Sequence, residues 1–314
     1  MRAQSSQSLN DMAKKSAFTI NFEYYLLRFF CGFVNLIPYR VAMGIAAFFA
    51  WTAVRVFKLR SKRTMARLKG VFPDKSEKEL KRIAFRSFAN ILQSGVEMIR
   101  APRLTRRWMD RHVVDGQLYK DRLQAYVDEG KGVVIMVPHS GNWYMAAWSM
   151  AKYGLPLFAI AAKQRNPKIN EWMKRQYGDI EVVERGSART LVEIRKKLEE
   201  GRAFAILPDL RVKEPDVEVD FLGGKANVSR GGAMFAVKCG SPIVVAVMRR
   251  EKGKHVFDHL GTLRPDPAAE DKKAEAARLT KEAMALIDEK IRLHPEHWFW
   301  YNKRWILEPV HKRS

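Results

Sequence analysis

Cysteine is almost absent from this chain of 314 residues: Cys31 and Cys239 both sit in apolar surroundings, outside any Cys-x-x-Cys or zinc-ligand spacing. This excludes a disulfide framework and a thiolate metal site, and fits reduced, buried thiols in a cytosolic environment. The apolar N-terminal segment lacks a run long enough to cross a bilayer unaided. Its longest uncharged stretch is Val41 to Val54, where a span needs about 20 residues. No signal-peptide cleavage pattern follows it. Internal repeats and low-complexity segments are missing, and no zinc-finger or RRM signature accompanies the charge, which removes nucleic acid from the expected partners. Acidic residues are scarce: 34 Asp+Glu against 57 Lys+Arg leave a net charge of +23. An excess of that size calls for an anionic membrane surface or an acidic protein, although basic residues spread along the whole chain also serve as solvated surface.

The N-terminal segment favours a membrane. After a polar start, Phe22 to Phe57 is aromatic and apolar, interrupted by Arg28, Arg40 and Arg55, and flanked by Lys14-Lys15 on one side and Lys58, Arg60, Lys62 and Arg63 on the other. The positive-inside rule puts both flanks in the cytoplasm, so the expectation is two helices lying in the inner leaflet. A tilted single span and packing against the protein's own core are the competing readings. The chain is therefore expected to divide into N-terminal membrane-associated helices over 1–60 and a catalytic domain over 61–314.

The remainder alternates. Ser76, with Glu79 three residues on, is placed to cap a helix over Glu77 to Arg100. Val114 to Gly116 reads as a short strand before a helix ending at Gly130. Apolar strand patterns follow at Val133–Val137, Pro156–Ala162, Ile180–Glu184, Ala203–Leu207 and Ile243–Arg249, with helices over Trp143–Tyr153, Pro167–Tyr177, Ala188–Glu200 and Ser229–Lys238 between them. Val256–Leu260 reads as an antiparallel strand, and a long polar helix runs from Glu270 to about Leu293. The expected fold class is α/β, a mostly parallel sheet flanked by helices on both faces.

In such a sheet, polar residues just past the strand ends gather along one edge. Here they are His139, Arg185, Pro208-Asp209-Leu210-Arg211 and Arg249-Arg250. That set supplies a base, an acid to orient it, and cations for an anionic group, which suits transfer of an acyl or phosphoryl group to a hydroxyl. Gly141 and the N–H groups of the following helix N-terminus would stabilise developing negative charge. The plain alternative is that His139 and Asn142 only cap a helix and that Trp143 packs it.

These residues sit in blocks that resemble the lipid A lauroyl/myristoyl acyltransferase family, within the broader lysophospholipid acyltransferase group. His139-Ser-Gly-Asn-Trp143 is similar to the family's His-x-Gly-Asn-Trp block, and Arg63 to Pro73 to its entry helix and Phe-Pro turn. Gly201 to Asp209 resembles its Gly…Pro-Asp block, and Pro295-Glu-His-Trp-Phe-Trp-Tyr-Asn-Lys-Arg304 its closing signature. The resemblance implies a glycerol-3-phosphate acyltransferase-like fold and an acyl donor carried as an acyl carrier protein or coenzyme A thioester. It also implies a lipid or glycolipid hydroxyl acceptor, and a site at the cytoplasmic face of an inner membrane. Because thiolate is a good leaving group, neither cofactor nor metal is called for. By the same resemblance Arg185 binds an anionic group, with Arg211 and Arg230 as weaker candidates, and Gly141 and Asn142 line the substrate site.

One position departs from the pattern. The family motif is His-x4-Asp/Glu, and Tyr144 stands where the acid belongs. A tyrosine is neutral at pH 7 and cannot stabilise an imidazolium by charge. Asp209 is the expected substitute, ending a neighbouring strand, with Glu184 second. If neither serves, the chain is an impaired enzyme or a non-catalytic lipid binder of the same fold.

Overall fold

The computed structural model describes residues 16–59, 61–186, 188–302 and 305–307. Lys14-Lys15, Arg60 and Lys303-Arg304 of the closing block lie outside these residues. The chain begins with α1 (Ala17–Leu36) and α2 (Tyr39–Trp51), which ends in a widened turn over Thr52–Val56, followed by α3 (Ser61–Val71) and α4 (Glu77–Arg100). After α5 (Arg106–His112), β1 (Val113–Val114) and α6 (Gly116–Tyr126) come β2 (Val133–Met136), α7 (Trp143–Lys152), β3 (Leu157–Ala161) and α8 (Pro167–Gln176). β4 (Glu181–Glu184), α9 (Ala188–Glu199) and β5 (Ala203–Ile206) complete the regular alternation. A hairpin of β6 (Val217–Phe221) and β7 (Gly224–Val228) then precedes α10 (Gly231–Cys239), β8 (Ile243–Glu251), β9 (Lys254–Leu263) and α11 (Lys272–Leu293).

The main sheet has seven strands in the order β1-β9-β8-β2-β5-β3-β4. Every neighbouring pair is parallel except β8 and β9. Helices cover both faces, as the apolar runs require. Val134, Met136, Phe158 and Phe204 face a core shared with α9, α10 and α11, while Val133, Ile135, Leu157 and Ala203 face α5, α6 and α7. β2 at the centre is buried along its whole length, which is why it reads as a continuous apolar run and not as an alternation. The expected cap on α4 is present as a reciprocal pair: Ser76 Oγ accepts from Glu79 N–H, and Glu79 accepts from Ser76 N–H at 2.9 Å.

The hairpin is an element additional to the alternation expected from the apolar runs. Its signal is present in Val217-Glu-Val-Asp-Phe221, whose valines and phenylalanine are buried and whose acids are exposed. The two-residue loop places Leu222 at φ +50° and Gly223 at φ +80°, the paired positive values of a tight hairpin turn.

At the N-terminus, α1 and α2 are separated at Ile37-Pro38, where the residue before proline is forced into an extended conformation. Val34, Ala42 and Ala46 pack with Val96 of α4, and Arg100 donates to the carbonyls of Val34 and Ile37 at 2.7 and 2.8 Å. The larger rings face outward: Phe18, Phe29 and Phe57 are each more than three-quarters exposed. No helix among the described residues is long and apolar enough to cross a membrane, so the tilted single span is not observed. Of the C-terminal tryptophans, Trp298 and Trp300 are buried, and Trp300 donates its indole N–H to Pro295 O at 2.7 Å.

Phe204 is fully enclosed and stacked on Phe158 with ring centroids 5.0 Å apart. Phe204→Ala is expected to destabilise the fold by about 3–5 kcal/mol, read as a lower denaturation midpoint in urea.

Candidate active site

The position of His139 follows from strand register. Met136 of β2 pairs with Ile206 of β5, so residues three places beyond each, His139 and Asp209, arrive at the same level of the carboxyl edge. Asp209 Oδ1 lies 2.8 Å from His139 Nδ1, and Oδ2 accepts the backbone N–H of His139 at 2.8 Å and the indole N–H of Trp298 at 2.8 Å. The carboxylate is almost completely buried, whereas the imidazole keeps about a fifth of its side chain accessible. Burial opposes ionisation of Asp209, but the His139 imidazole and the three donated hydrogen bonds overcome it and hold the carboxyl below the usual aspartate value. An ionised carboxylate only accepts, so Nδ1 carries the proton and Nε2 is left as the basic nitrogen.

The loop that presents His139 is clamped from several sides. Gly141 adopts φ +61°, and a Cβ there would fall 1.6 Å from Met248 O, so only glycine fits. Its N–H donates to His297 O at 2.9 Å, its C=O accepts from Asn90 Nδ2 at 2.8 Å, and the Asn142 N–H donates to Met248 O at 3.0 Å. Phe299 N–H reaches His139 O at 3.2 Å. The expectation that the Gly141 N–H stabilises an oxyanion is therefore corrected: that donor is already engaged by a backbone carbonyl. Asn142 is buried and does not line the cavity next to His139. Its Oδ1 caps α7 at Met145 N, and its Nδ2 donates to the buried carboxylate of Glu97 at 2.5 Å.

His139 borders a cavity of about 820 Å³ that wraps the carboxyl edge of the sheet. On the α6–α7 side its walls run from Phe257 of β9 through Ala246, Ile135, Ala205 and Ala159 to Val182 of β4. Those residues cross five strand intervals, a span of roughly 24 Å, and small alanine side chains keep the trough open. Tyr144 is one of the lining residues, and burial pushes its phenol upward, so it adds neutral surface and gives His139 no charge support. Trp143 packs edge-on against the imidazole, with ring centroids 5.0 Å apart.

Of the arginines expected near the edge, Arg185 borders the cavity. Arg250 is bound in a bidentate pair to Glu97 at 2.8 Å, Arg249 pairs with Asp258 and Glu251, and Arg230 with Asp216. Arg211 lies in the chain beyond Asp209, bridged to Val228 of the hairpin, and does not line the cavity. Glu184 ends the edge strand, three strands or roughly 14 Å from β2, and sits 3.7 Å from Lys163, so it is not brought to His139. Among the described residues no group of three or more His, Cys, Asp or Glu side chains is arranged around a metal position.

Residues that the sequence reading passed over complete the site. Ser87, Asn90, Ser94 and Glu97 recur at helical spacing along the buried face of α4, a polar strip among core positions. Ser87 donates to Trp298 O at 2.5 Å, and Asn90 and Ser94 point to Gly141 O. The spacing was a usable signal, because polar side chains on an apolar helix face need buried partners.

A histidine held by a buried carboxylate at a sheet edge, opening on a long apolar trough, is an arrangement suited to transferring an apolar group to a hydroxyl. The chain matches the model of the bacterial lipid A biosynthesis acyltransferase family over residues 10–306, and it belongs to that family. It is accordingly an acyltransferase of lipid metabolism, acting on lipid or glycolipid acceptors. Among curated proteins it is similar to phosphatidylinositol mannoside acyltransferases. The one from Mycobacterium tuberculosis is 23% identical over 258 residues, covering 79% of this chain and 77% of that protein. The one from Mycolicibacterium smegmatis is 24% identical over 258 residues, covering 79% of each.

Asp209→Asn is expected to lower kcat for acyl transfer by about two or more orders of magnitude, with KM for the donor little changed, because the imidazole loses the anion that fixes its tautomer. Steady-state kinetics on the purified variant, checked for folding by circular dichroism, reads this directly.

Proposed function

We propose that His139 and Asp209 are the catalytic pair of an enzyme that moves a fatty acyl chain from a thioester to a lipid or glycolipid hydroxyl. The observation that carries this reading is the buried Asp209 carboxylate fixed 2.8 Å from His139 Nδ1 at the mouth of the apolar cavity. Nε2 takes the proton of the acceptor hydroxyl as its oxygen attacks the thioester carbonyl. The C–O bond forms, the C–S bond breaks, and the departing thiolate takes the proton back from the imidazolium. With the Gly141 N–H engaged, the oxyanion is assigned to the first-turn N–H groups of α7 at Trp143 and Tyr144, both bordering the cavity. Arg185, across the edge from His139, suits a phosphate of the donor's carrier or of the acceptor headgroup. The donor is an acyl carrier protein or coenzyme A thioester.

The impaired or non-catalytic alternative rests on Tyr144 in place of the motif acid. Against it stands the engagement of Asp209, which supplies from β5 the charge that the helix position lacks. Tyr144 then contributes to the wall of the acyl trough.

Residues 1–60 are proposed as the membrane-associated part and 61–314 as the catalytic part. Exposed Phe18, Phe29, Phe48 and Phe57 on the α1–α2 pair and its final turn are the surface that enters the cytoplasmic face of the inner membrane, beside anionic lipid drawn by the net positive charge.

His139→Ala is expected to cut acyl transfer by about two to four orders of magnitude while folding and vesicle binding persist. Turnover at the wild-type rate by the purified variant would remove His139 as the base. Replacing Phe18, Phe29, Phe48 and Phe57 together by serine is expected to release most of the protein from phosphatidylglycerol-containing vesicles. High salt alone should release less, because apolar burial is not screened. Complete sedimentation of the quadruple variant would place the anchor elsewhere.

A further inference from the structure

Glu97 forms the densest polar cluster that the catalytic pair does not use. Its side chain is completely enclosed in the interior. Oε1 accepts from Tyr39 Oη at 2.5 Å, Arg250 at 2.8 Å and His255 Nε2 at 3.0 Å, and Oε2 accepts from Asn142 Nδ2 at 2.5 Å and Arg250 at 2.8 Å. Burial works against ionisation here, yet the His255 ring and the Arg250 guanidinium hold the carboxyl well below the usual glutamate range. Burial, with the adjoining carboxylate, keeps the Tyr39 phenol protonated as a donor. Two carboxylate oxygens offer about four lone-pair sites, so these donors saturate the group and leave no place for substrate.

Each donor comes from a different element. Tyr39 opens α2, Arg250 lies toward the end of β8, His255 is at the start of β9, and Asn142 caps α7 three residues after His139. A buried ion pair contributes little net stability compared with apolar packing, so its value lies in fixing several donors at set angles. The amide of Asn142 is held at both ends, by Glu97 and by Met145 N. α4 repeats this two-sided attachment along its length. Gln93 and Arg100 hold backbone carbonyls of the α1–α2 pair, while Asn90 and Ser94 hold the carbonyl of Gly141.

We propose that Glu97 is a positioning residue that couples the seating of the α1–α2 pair to the geometry of the His139 loop through the chain Tyr39–Glu97–Asn142. The inference rests on the reading of His139 as the base. Displacing α2 withdraws the Tyr39 donor from Oε1 and leaves the carboxylate pulled only by Arg250, His255 and Asn142. The carboxylate then settles against its remaining partners, and Asn142 with the α7 cap follows it. Turnover therefore responds to how the membrane-facing helices sit, without any of their residues touching substrate.

Tyr39→Phe in the full chain tests this. The change removes one hydroxyl and keeps the ring that packs edge-on against Trp108. On vesicles of phosphatidylethanolamine and phosphatidylglycerol, kcat is expected to fall about tenfold, the magnitude of one lost hydrogen bond to a charged group. KM for the acyl donor and vesicle binding should stay within about twofold, and amide exchange over residues 139–145 should rise while that of β5 does not. Glu97→Gln should cost more, because its amide NH2 would face donors; if that variant does not fold, Tyr39→Phe still decides. An unchanged kcat with unchanged exchange over 139–145 overturns the coupling, as does a loss confined to KM or to thermal stability. If His139→Ala proves fully active, the catalytic reading fails by itself, and the exchange measurement still reports whether Tyr39 controls the loop.

Discussion

The buried carboxylate of Asp209 is the contact on which the arrangement of the sheet's carboxyl edge depends. It receives the ring and backbone N–H groups of His139 and the indole N–H of Trp298, and so ties the end of β2, the end of β5 and the C-terminal block to one point. Enclosing a carboxylate is costly unless its lone pairs are filled, and three donors from separate segments fill them. The same satisfaction that offsets burial also fixes the imidazole tautomer. Enclosure of the carboxylate and orientation of the imidazole are here properties of one group.

Much of this architecture was legible in the chain because it depends on periodicity. The apolar runs at β2, β3, β5 and β8 and the capping box at Ser76 are local signals, and they are found where expected. Asp209 could be named because strand ends gather along one edge. The sequence could not give the register, and the Met136–Ile206 pairing is what brings Asp209, and not Glu184, level with His139. The β6–β7 hairpin was readable from its alternation but lies in a segment rich in charge. The polar strip on α4 was visible as spacing, yet nothing local says that its partners are backbone carbonyls some 50 and 210 residues away in the chain.

Two misreadings share one physical cause. The resemblance of the histidine block implies that Gly141 and Asn142 face substrate. Both are instead spent on holding the histidine, through the His297, Met248 and Glu97 contacts. Residues next to a catalytic group in sequence compete for two tasks, contact and support, and a tight turn at positive φ favours support. The arginines show the same division. Arg250 and Arg249 were read as anion binders but are committed to internal carboxylates, whereas Arg185 on the opposite flank borders the cavity.

The clamp formed by α4 and the C-terminal block also orders events in time. A chain made from its N-terminus completes the aromatic α1–α2 pair first, then α4, and only afterwards the strands that carry His139 and Asp209. The indole of Trp298 and the His297 carbonyl that complete the clamp come after those strands in the chain. Closing loops of this length costs chain entropy that the local helices do not incur. The exposed aromatic rings of α1 and α2 are thus in the growing chain well before the imidazole gains its buried carboxylate partner.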